Sequence, residues 1–297
     1  MGPVLEAVAF CEEEGSRFPA SNWWGSRAIT GVIGPDEPNQ IFSSEGETIA
    51  EAMRAVGLDP ERIPEAERND IESFLELHIE QGPILEREGF PIGVVKGIPG
   101  IRHYEITLTG RTDHAGGVPI DLRRDTMAAA AEIIHRAGET AREWGRPTVT
   151  TTGRINVEPN LAAAIPGKVV FTIDARHPVP EKVEELWASH EALIAEVAQK
   201  YDVEASWSLL VDHEPGPSDP GLVELLETTA SEQGIPALSM YSGGGHDCQQ
   251  MGKITKSVML FVQSKDGRSH TPDEYTAPEH MAAGLQVLTA ALHRLAY

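Results

Sequence analysis

The chain has 297 residues, 24 basic and 46 acidic, for a formal net charge of −22, and that length is ample for two domains. So acidic a composition, with no Lys/Arg cluster, argues against partners held through phosphates, because nucleic-acid binding needs a basic face to displace counterions. Two cysteines, Cys11 and Cys248, exclude a disulfide framework and point to a reducing, cytoplasmic setting; no apolar run approaches membrane-spanning length, and the start MGPVLEAVAF lacks the basic region of a signal peptide.

In chain order, the apolar run Pro3–Phe10 predicts a buried strand, which ends in Glu12-Glu13-Glu14-Gly15. A Gly- and Pro-rich stretch from Asn22 to Pro64 holds one helical segment near Glu47–Val56. Phe74–Glu80 alternates with the period of a strand, and a shorter strand, Pro91–Val95, leads to a turn at Gly97–Gly100. Next come a strand at His103–Thr109, a helix at Asp121–Trp144, strands at Thr148–Val157 and Lys168–Ala175, a helix at Glu181–Lys200 and a strand at Val203–Leu210. That order, β-α-β-β-α-β, is a complete split βαβ unit and reads as an inserted domain. After Pro215 the chain alternates again: helix Gly221–Gln233, strands Ala237–Met240 and Ser257–Val262, helix Pro278–Ala296. Strands that alternate with helices imply an α/β fold with a mostly parallel sheet. The expected division is residues 1–98 and 213–297 for one domain and 99–212 for the inserted one.

Four stretches place polar residues at strand ends, where open α/β sheets put their sites. Glu12, Glu13 and Glu14 repel one another, and read either as a solvated acidic turn or as carboxylates gathered around a cation. Residues 76, 78 and 80 share one face of a strand, so His78 lies between Glu76 and Glu80; this is either the dress of a metal ligand or an exposed polar edge. Ser269–Glu274 offers His270 and two acids. Ser242–Asp247 presents His246 and Asp247 on a glycine turn. Each of these two loops reads as a solvated turn or as a site. The phosphate-binding glycine patterns and the GxSxG elbow are absent, so nucleotide binding and a serine triad lack their signs. Glu, His and His at strand ends together point to a hydrolytic metal site. Arg176 closes an apolar strand, where a guanidinium needs a carboxylate from a neighbouring side chain or from a substrate. The remaining histidines, including His103 and His190, read as surface or packing residues.

Taken together, EEEGSRFP, WGSR, ELHIEQGPILE, GRTDHAGGVPIDLRRDT, IPGKVVFTIDARH, SGGGHDCQQM and SHTPDEYT resemble the dinuclear metallo-amidohydrolases. That family includes aminoacylases, N-carbamoyl-L-amino-acid hydrolases and allantoate amidohydrolases, and the likeness is greatest to the allantoate branch. The resemblance implies a phosphorylase/hydrolase-like catalytic α/β domain interrupted by a ferredoxin-like lid and dimerisation domain, hence a homodimer. It implies hydrolysis of a linear ureido or carbamoyl C–N bond in a small ureido acid, with release of ammonia. It also implies two divalent ions per subunit, zinc or manganese, with cobalt or nickel also suited to such ligands. Glu13 would be the general base, and Glu14, His78 and His270 metal ligands. His114 would stabilise the oxyanion, in the family from the partner subunit. Arg176 and Asn160 would bind the substrate carboxylate, and His246 and Gln81 would be further substrate contacts.

The family pattern also has an upstream His-x-Asp strand and Asp-Gly turn, so the expectation is an N-terminally truncated chain. Ala163 stands where relatives often carry Asn, and Ile101 where they often carry Gln. The rival readings are an aminoacylase-type amide hydrolase and an incomplete, inactive chain that only binds or dimerises.

Overall fold

Lys256–Val262 is apolar at almost every position and is buried on both faces from Ser257 onward, as the centre of a covered sheet requires. In the computed structural model, which describes residues 4–297, this strand pairs in parallel with Ser73–Ile79 and antiparallel with Ile92–Val95. Ala237–Met240 joins the far side of Ile92–Val95 in parallel. Two of the three pairings in this four-stranded sheet are therefore parallel. One face packs Ile92, Val94, Val258 and Leu260 against Leu222 and Leu226 of the helix Pro220–Glu232 and Val287 and Ala291 of the helix Pro278–Ala296. Gly284 lets the latter helix lie close, since a β-carbon there would stand 2.5 Å from Val262 and 2.9 Å from Leu77. The opposite face packs Val95, Met259 and Phe261 against Leu85, Met240 and Cys248.

Contact density divides the chain into two units, the first comprising residues 1–98 and 216–297 and the second Pro99–Pro215. Where the chain leaves the first unit and re-enters it, Gly97–Ile98 pairs with Gly216–Pro217. The expected free turn at Gly97–Gly100 is thus replaced by a short ladder followed at once by the strand Gly100–Thr109.

In the second unit the strands run Glu204–His213, Gly100–Thr109, Lys168–His177, Val149–Thr151, every neighbour antiparallel. The expected long strand Thr148–Val157 divides, and its second half, Ile155–Glu158, pairs separately with Lys168–His177. Helices Thr126–Trp144 and Pro180–Lys200 cover one face, burying Ile133, Ile194 and Val197 on Ile106, Phe171 and Ile173. The first helix starts later than its apolar pattern suggests. The Asp125 carboxylate accepts from the backbone N–H groups of Met127 and Ala128, at 3.1 Å each, and so fixes the N-terminus. Near the start of the first unit, the helix Ile49–Ala55 opens with a capping box between Thr48 and Glu51.

The expected buried strand at the start does not form. Pro3 lies outside the described residues, and Val4, Leu5 and Val8 are exposed on irregular backbone. Apolar composition suggested burial, but a strand also needs a ladder partner, and Ser73–Ile79 and Ala237–Met240 end the sheet without one for these residues.

His190 lies inside the second unit, 1% exposed, its ring 6.0 Å from that of Trp187 and neither ring nitrogen hydrogen-bonded. Burial pushes its pKa down from 6.5 to about 4. Below pH 6.5 the unfolded chain takes up a proton that the folded chain refuses, so stability falls as the pH drops from 6.5 towards 4. The ceiling is about 3.5 kcal/mol at about 1.4 kcal/mol per pKa unit. His190→Leu should flatten the unfolding midpoint measured across this range; an unchanged slope would assign the acid sensitivity to other groups.

Candidate metal centre and active site

The acidic turn after Phe10 is tied down through its main chain. The N–H groups of Trp23, Trp24 and Gly25, at the start of the helix Trp24–Ile29, donate to the carbonyls of Glu13, Glu12 and Cys11 at 3.0, 3.4 and 3.1 Å. These are N–H groups a helix cannot satisfy internally. The three glutamates then part company. Glu12 turns back, and its carboxylate accepts from the N–H groups of Arg17 and Phe18 at 3.2 and 3.4 Å, closing the loop. Glu14 is exposed and Glu13 half-buried. Burial pushes the Glu13 carboxyl up to about 7, helped by the charges of Asp247 and Glu14, against the pull of the Trp23 side-chain hydrogen bond and His270.

The Ser73–Ile79 strand places Glu76 and His78 on one face, but Glu80 does not join them. The strand ends at Ile79, and the buried Glu80 carboxylate accepts from Ile84 and Leu85 N–H at 2.7 and 2.9 Å, capping the helix Ile84–Glu88. The place of a second flanking group is taken by His246, whose ring meets that of His78 edge-on at 4.6 Å. Glu76, His78 and His246 each offer a ligand atom, and these atoms lie within 4.8 Å of one another.

His78 Nδ1 is 2.8 Å from the Ile79 carbonyl and donates to it, which leaves Nε2 as the nitrogen with the lone pair. His246 Nε2 lies 2.9 Å from Ser242 Oγ, while its Nδ1 is buried without a partner. Burial, with His78 beside it, pushes the His246 imidazole down to about 3. Glu76 accepts from Cys248 N–H at 2.7 Å, and burial together with Asp247 raises its carboxyl to about 8. Asp247, itself raised to about 6 by burial, accepts a hydrogen bond from Ser26.

A second group adjoins this one. Glu14 Oε1 lies 3.0 Å from His270 Nε2, although 256 residues separate them. The Gln81 side-chain amide lies 3.3 Å from the same Glu14 oxygen and 3.0 Å from Ser269 Oγ. Glu274 holds the loop by accepting from Ser269 Oγ at 2.7 Å and His270 N–H at 3.2 Å. Gln81 and His270 both adopt left-handed backbone, φ 55° and 56°, a cost that proteins concentrate at functional sites. A β-carbon on Gly244 would lie 3.9 Å from both Gln81 Oε1 and His246 Nε2, so the two groups flank one glycine loop.

Of the expected metal ligands, the structure therefore brings Glu14 to His270 and groups His78 with Glu76 and His246. Glu76 joins the expected ligands, and its spacing from His78, which puts both on one strand face, is the sequence signal for it. Asp247 carries a signal in the glycine turn, Ser26 only the WGSR string, and Trp23, which precedes that string, none.

The other expected residues belong to the second unit. His114 is exposed, and its Nδ1 accepts from both Gly116 and Gly117 N–H at 3.0 Å, so in the neutral ring Nε2 carries the proton as an outward donor. Arg176 donates to Asp174 through Nε at 2.9 Å and Nη2 at 2.7 Å, which is the neighbouring-carboxylate fate open to it. His103 Nε2 lies 2.8 Å from the same Asp174. Burial alone would raise Asp174, yet Arg176 and His103 hold its carboxyl below its ordinary value. Asn160 sits in a left-handed turn, φ 57°.

A divalent cation suits the donors of the first unit. A buried imidazole nitrogen without a partner, a second imidazole with its lone pair fixed by a backbone bond, and carboxyls raised by burial are all relieved by one positive charge.

Comparison with known proteins gives a consistent picture. The model of peptidase family M20/M25/M40 matches residues 3–294. Allantoate amidohydrolase of Escherichia coli (strain K12) is 38% identical over 294 residues, a match covering 99% of this chain and 71% of that protein. N-carbamoyl-L-amino acid amidohydrolase of Geobacillus stearothermophilus is also 38% identical, covering 98% and 71%. A solved amidase of the hydantoinase/carbamoylase family from Burkholderia multivorans superposes with a TM-score of 0.88 at 32% identity, over 96% of this chain and 69% of that one.

Between pH 4.5 and 8 the cation-free folded chain keeps protons on Glu13 and Glu76 that the unfolded chain has released, so this pair costs more stability as the pH rises. Zn²⁺ or Mn²⁺ should therefore raise the melting temperature more at pH 8 than at pH 5, and His78→Ala should remove most of that gain. An equal gain at both pH values would show that the ion binds elsewhere.

Proposed function

The chain belongs to peptidase family M20/M25/M40, and on that footing we propose that it hydrolyses a linear ureido C–N bond, with allantoate the first substrate and N-carbamoyl-L-amino acids the second. It is a metal-dependent amidohydrolase, with relatives named allantoate amidohydrolase and N-carbamoyl-L-amino acid amidohydrolase. The observation that supports the reading best is the meeting of Glu14 with His270 beside the Glu76–His78–His246 group, since distant stretches of chain converge there to offer carboxylate and imidazole donors.

Two divalent ions, zinc or manganese, would be held by Glu14, His78 and His270, with Glu76 and His246 as further donors. When bound they supply Lewis acidity for the scissile carbonyl and make water a better nucleophile near neutral pH. Glu13 takes the proton of the attacking water and gives it to the departing nitrogen, a task that suits a carboxyl raised to about 7. His114, supplied by the second copy of the chain, donates its Nε2 proton towards the carbonyl oxygen as charge develops there; acceptance by Nδ1 from two backbone N–H groups favours the tautomer this requires. Arg176, alongside its bonds to Asp174, and Asn160 bind the substrate carboxylate, and Gln81 contacts the substrate, whereas His246 takes a metal-donor role instead of a substrate contact.

The second unit serves as lid and dimerisation domain, and the partner is a second copy of the chain. In support, Glu204–His213 is an edge strand ten residues long with Trp207, Leu209 and Leu210 exposed, the kind of edge that proteins otherwise cover or charge. Light scattering should give twice the chain mass, and Trp207→Glu should lower it; a monomer at micromolar concentration would count against this partner.

The deciding assay is ammonia release from allantoate and from an N-carbamoyl-L-amino acid, on protein loaded with Mn²⁺ or Zn²⁺. Glu13→Gln should keep its metal and lose at least about a hundredfold in turnover, whereas His78→Ala should lose metal. Full turnover in Glu13→Gln would remove the general-base role.

A further inference from the structure

Trp23, the residue just before the WGSR stretch, has no part in the roles assigned so far, yet it is held in an unusual way. Trp23 adopts left-handed backbone, φ 60°, a conformation rare for a bulky side chain and kept only where surroundings enforce it. The residue is 7% exposed. Two bonds tie it to Glu13: its backbone N–H donates to the Glu13 carbonyl at 3.0 Å, and its side chain bonds the Glu13 carboxyl. Since indole has a single donor, Nε1–H, and no acceptor, the direction of that second bond is settled. On its other side the ring abuts the glycine loop, where a β-carbon on Gly245 would collide with the six-membered ring. Three residues further on, Ser26 donates to Asp247 at the end of that same loop.

We propose that Trp23 is a positioning residue that aims the Glu13 carboxyl group, with the strained backbone and the Gly245 contact bracing the indole so that its N–H keeps one direction. The inference rests on Glu13 being the general base. A carboxylate on a short loop has two free side-chain torsions before its own carboxyl rotation, and general-base catalysis needs one oxygen at hydrogen-bond reach of the proton it removes. Holding one oxygen on a fixed N–H leaves the other to face the reactant, and misplacement on the ångström scale costs orders of magnitude in rate.

Trp23→Phe tests this, because it keeps an aromatic side chain at the position while removing the N–H, at the cost of the outer edge of the indole that meets Gly245. In the full chain loaded with Mn²⁺, with allantoate or an N-carbamoyl-L-amino acid as substrate, it should lower kcat about tenfold or more. KM should stay within about twofold and metal content should not change; a merely structural tryptophan would affect KM, metal content and melting together. In parallel, with tryptophan labelled with ¹⁵N in the indole ring, the N–H signal missing from Trp23→Phe should move in Glu13→Ala.

Turnover of Trp23→Phe within about twofold of the parent, with Glu13→Gln inactive, overturns the positioning role and leaves the general-base reading standing. Turnover retained in Glu13→Gln overturns both. An indole signal that stays in place in Glu13→Ala overturns the contact itself.

Discussion

Three carboxyl groups, Glu13, Glu76 and Asp247, are drawn out of water near one another, and each is raised first by burial and then, for Glu13 and Glu76, by the charge of Asp247. Their bonded partners are an indole, a backbone N–H and a serine hydroxyl. None of these carries a charge, so the site has an appetite for cations built into its folding. Unpaired negative charge in a half-buried place is costly, and the chain tolerates it where two imidazoles already offer lone pairs. The first unit is arranged around that constraint: its sheet supplies Glu76 and His78, its glycine loop His246 and Asp247, and its acidic turn Glu13 and Glu14.

Much of the fold was legible because it follows from local periodicity. The strand at Ser73–Ile79, the buried strand Lys256–Val262 and the long helices of both units stand close to where their apolar spacing put them. The misreadings share a cause. Pro3–Phe10 has the composition of a buried strand, but its ladder partner is a non-local matter that composition does not carry. Glu80 has the right parity to flank His78, yet two helix N–H groups claim it first. Period two says which face a side chain takes while the strand lasts, and nothing about where the strand stops.

The site was legible as a set of motifs and illegible as a set of partners. That Glu14, His78 and His270 matter came from the strings around them; that His78 stands against His246 while Glu14 stands against His270 required the three-dimensional arrangement. Supporting residues were harder still. Ser26 and Trp23 are ordinary letters in a stretch rich in glycine and proline. Their value comes from lying beside Asp247 and Glu13, more than two hundred residues away in one case and ten in the other.

The order in which the parts leave the ribosome follows from the way the chain returns to the first unit at Gly216, paired with Ile98. Ser73–Ile79 and Ile92–Val95 are synthesised early, but the strand that joins them, Lys256–Val262, comes more than 150 residues later. In the interval the whole of Pro99–Pro215 emerges, with its own sheet and core, and can close by itself. The first unit must wait with two orphan strands in water until its keystone arrives. During that wait, nascent-chain chaperones have the most reason to attend, and premature termination after Pro215 would release a finished insert on an unfinished host.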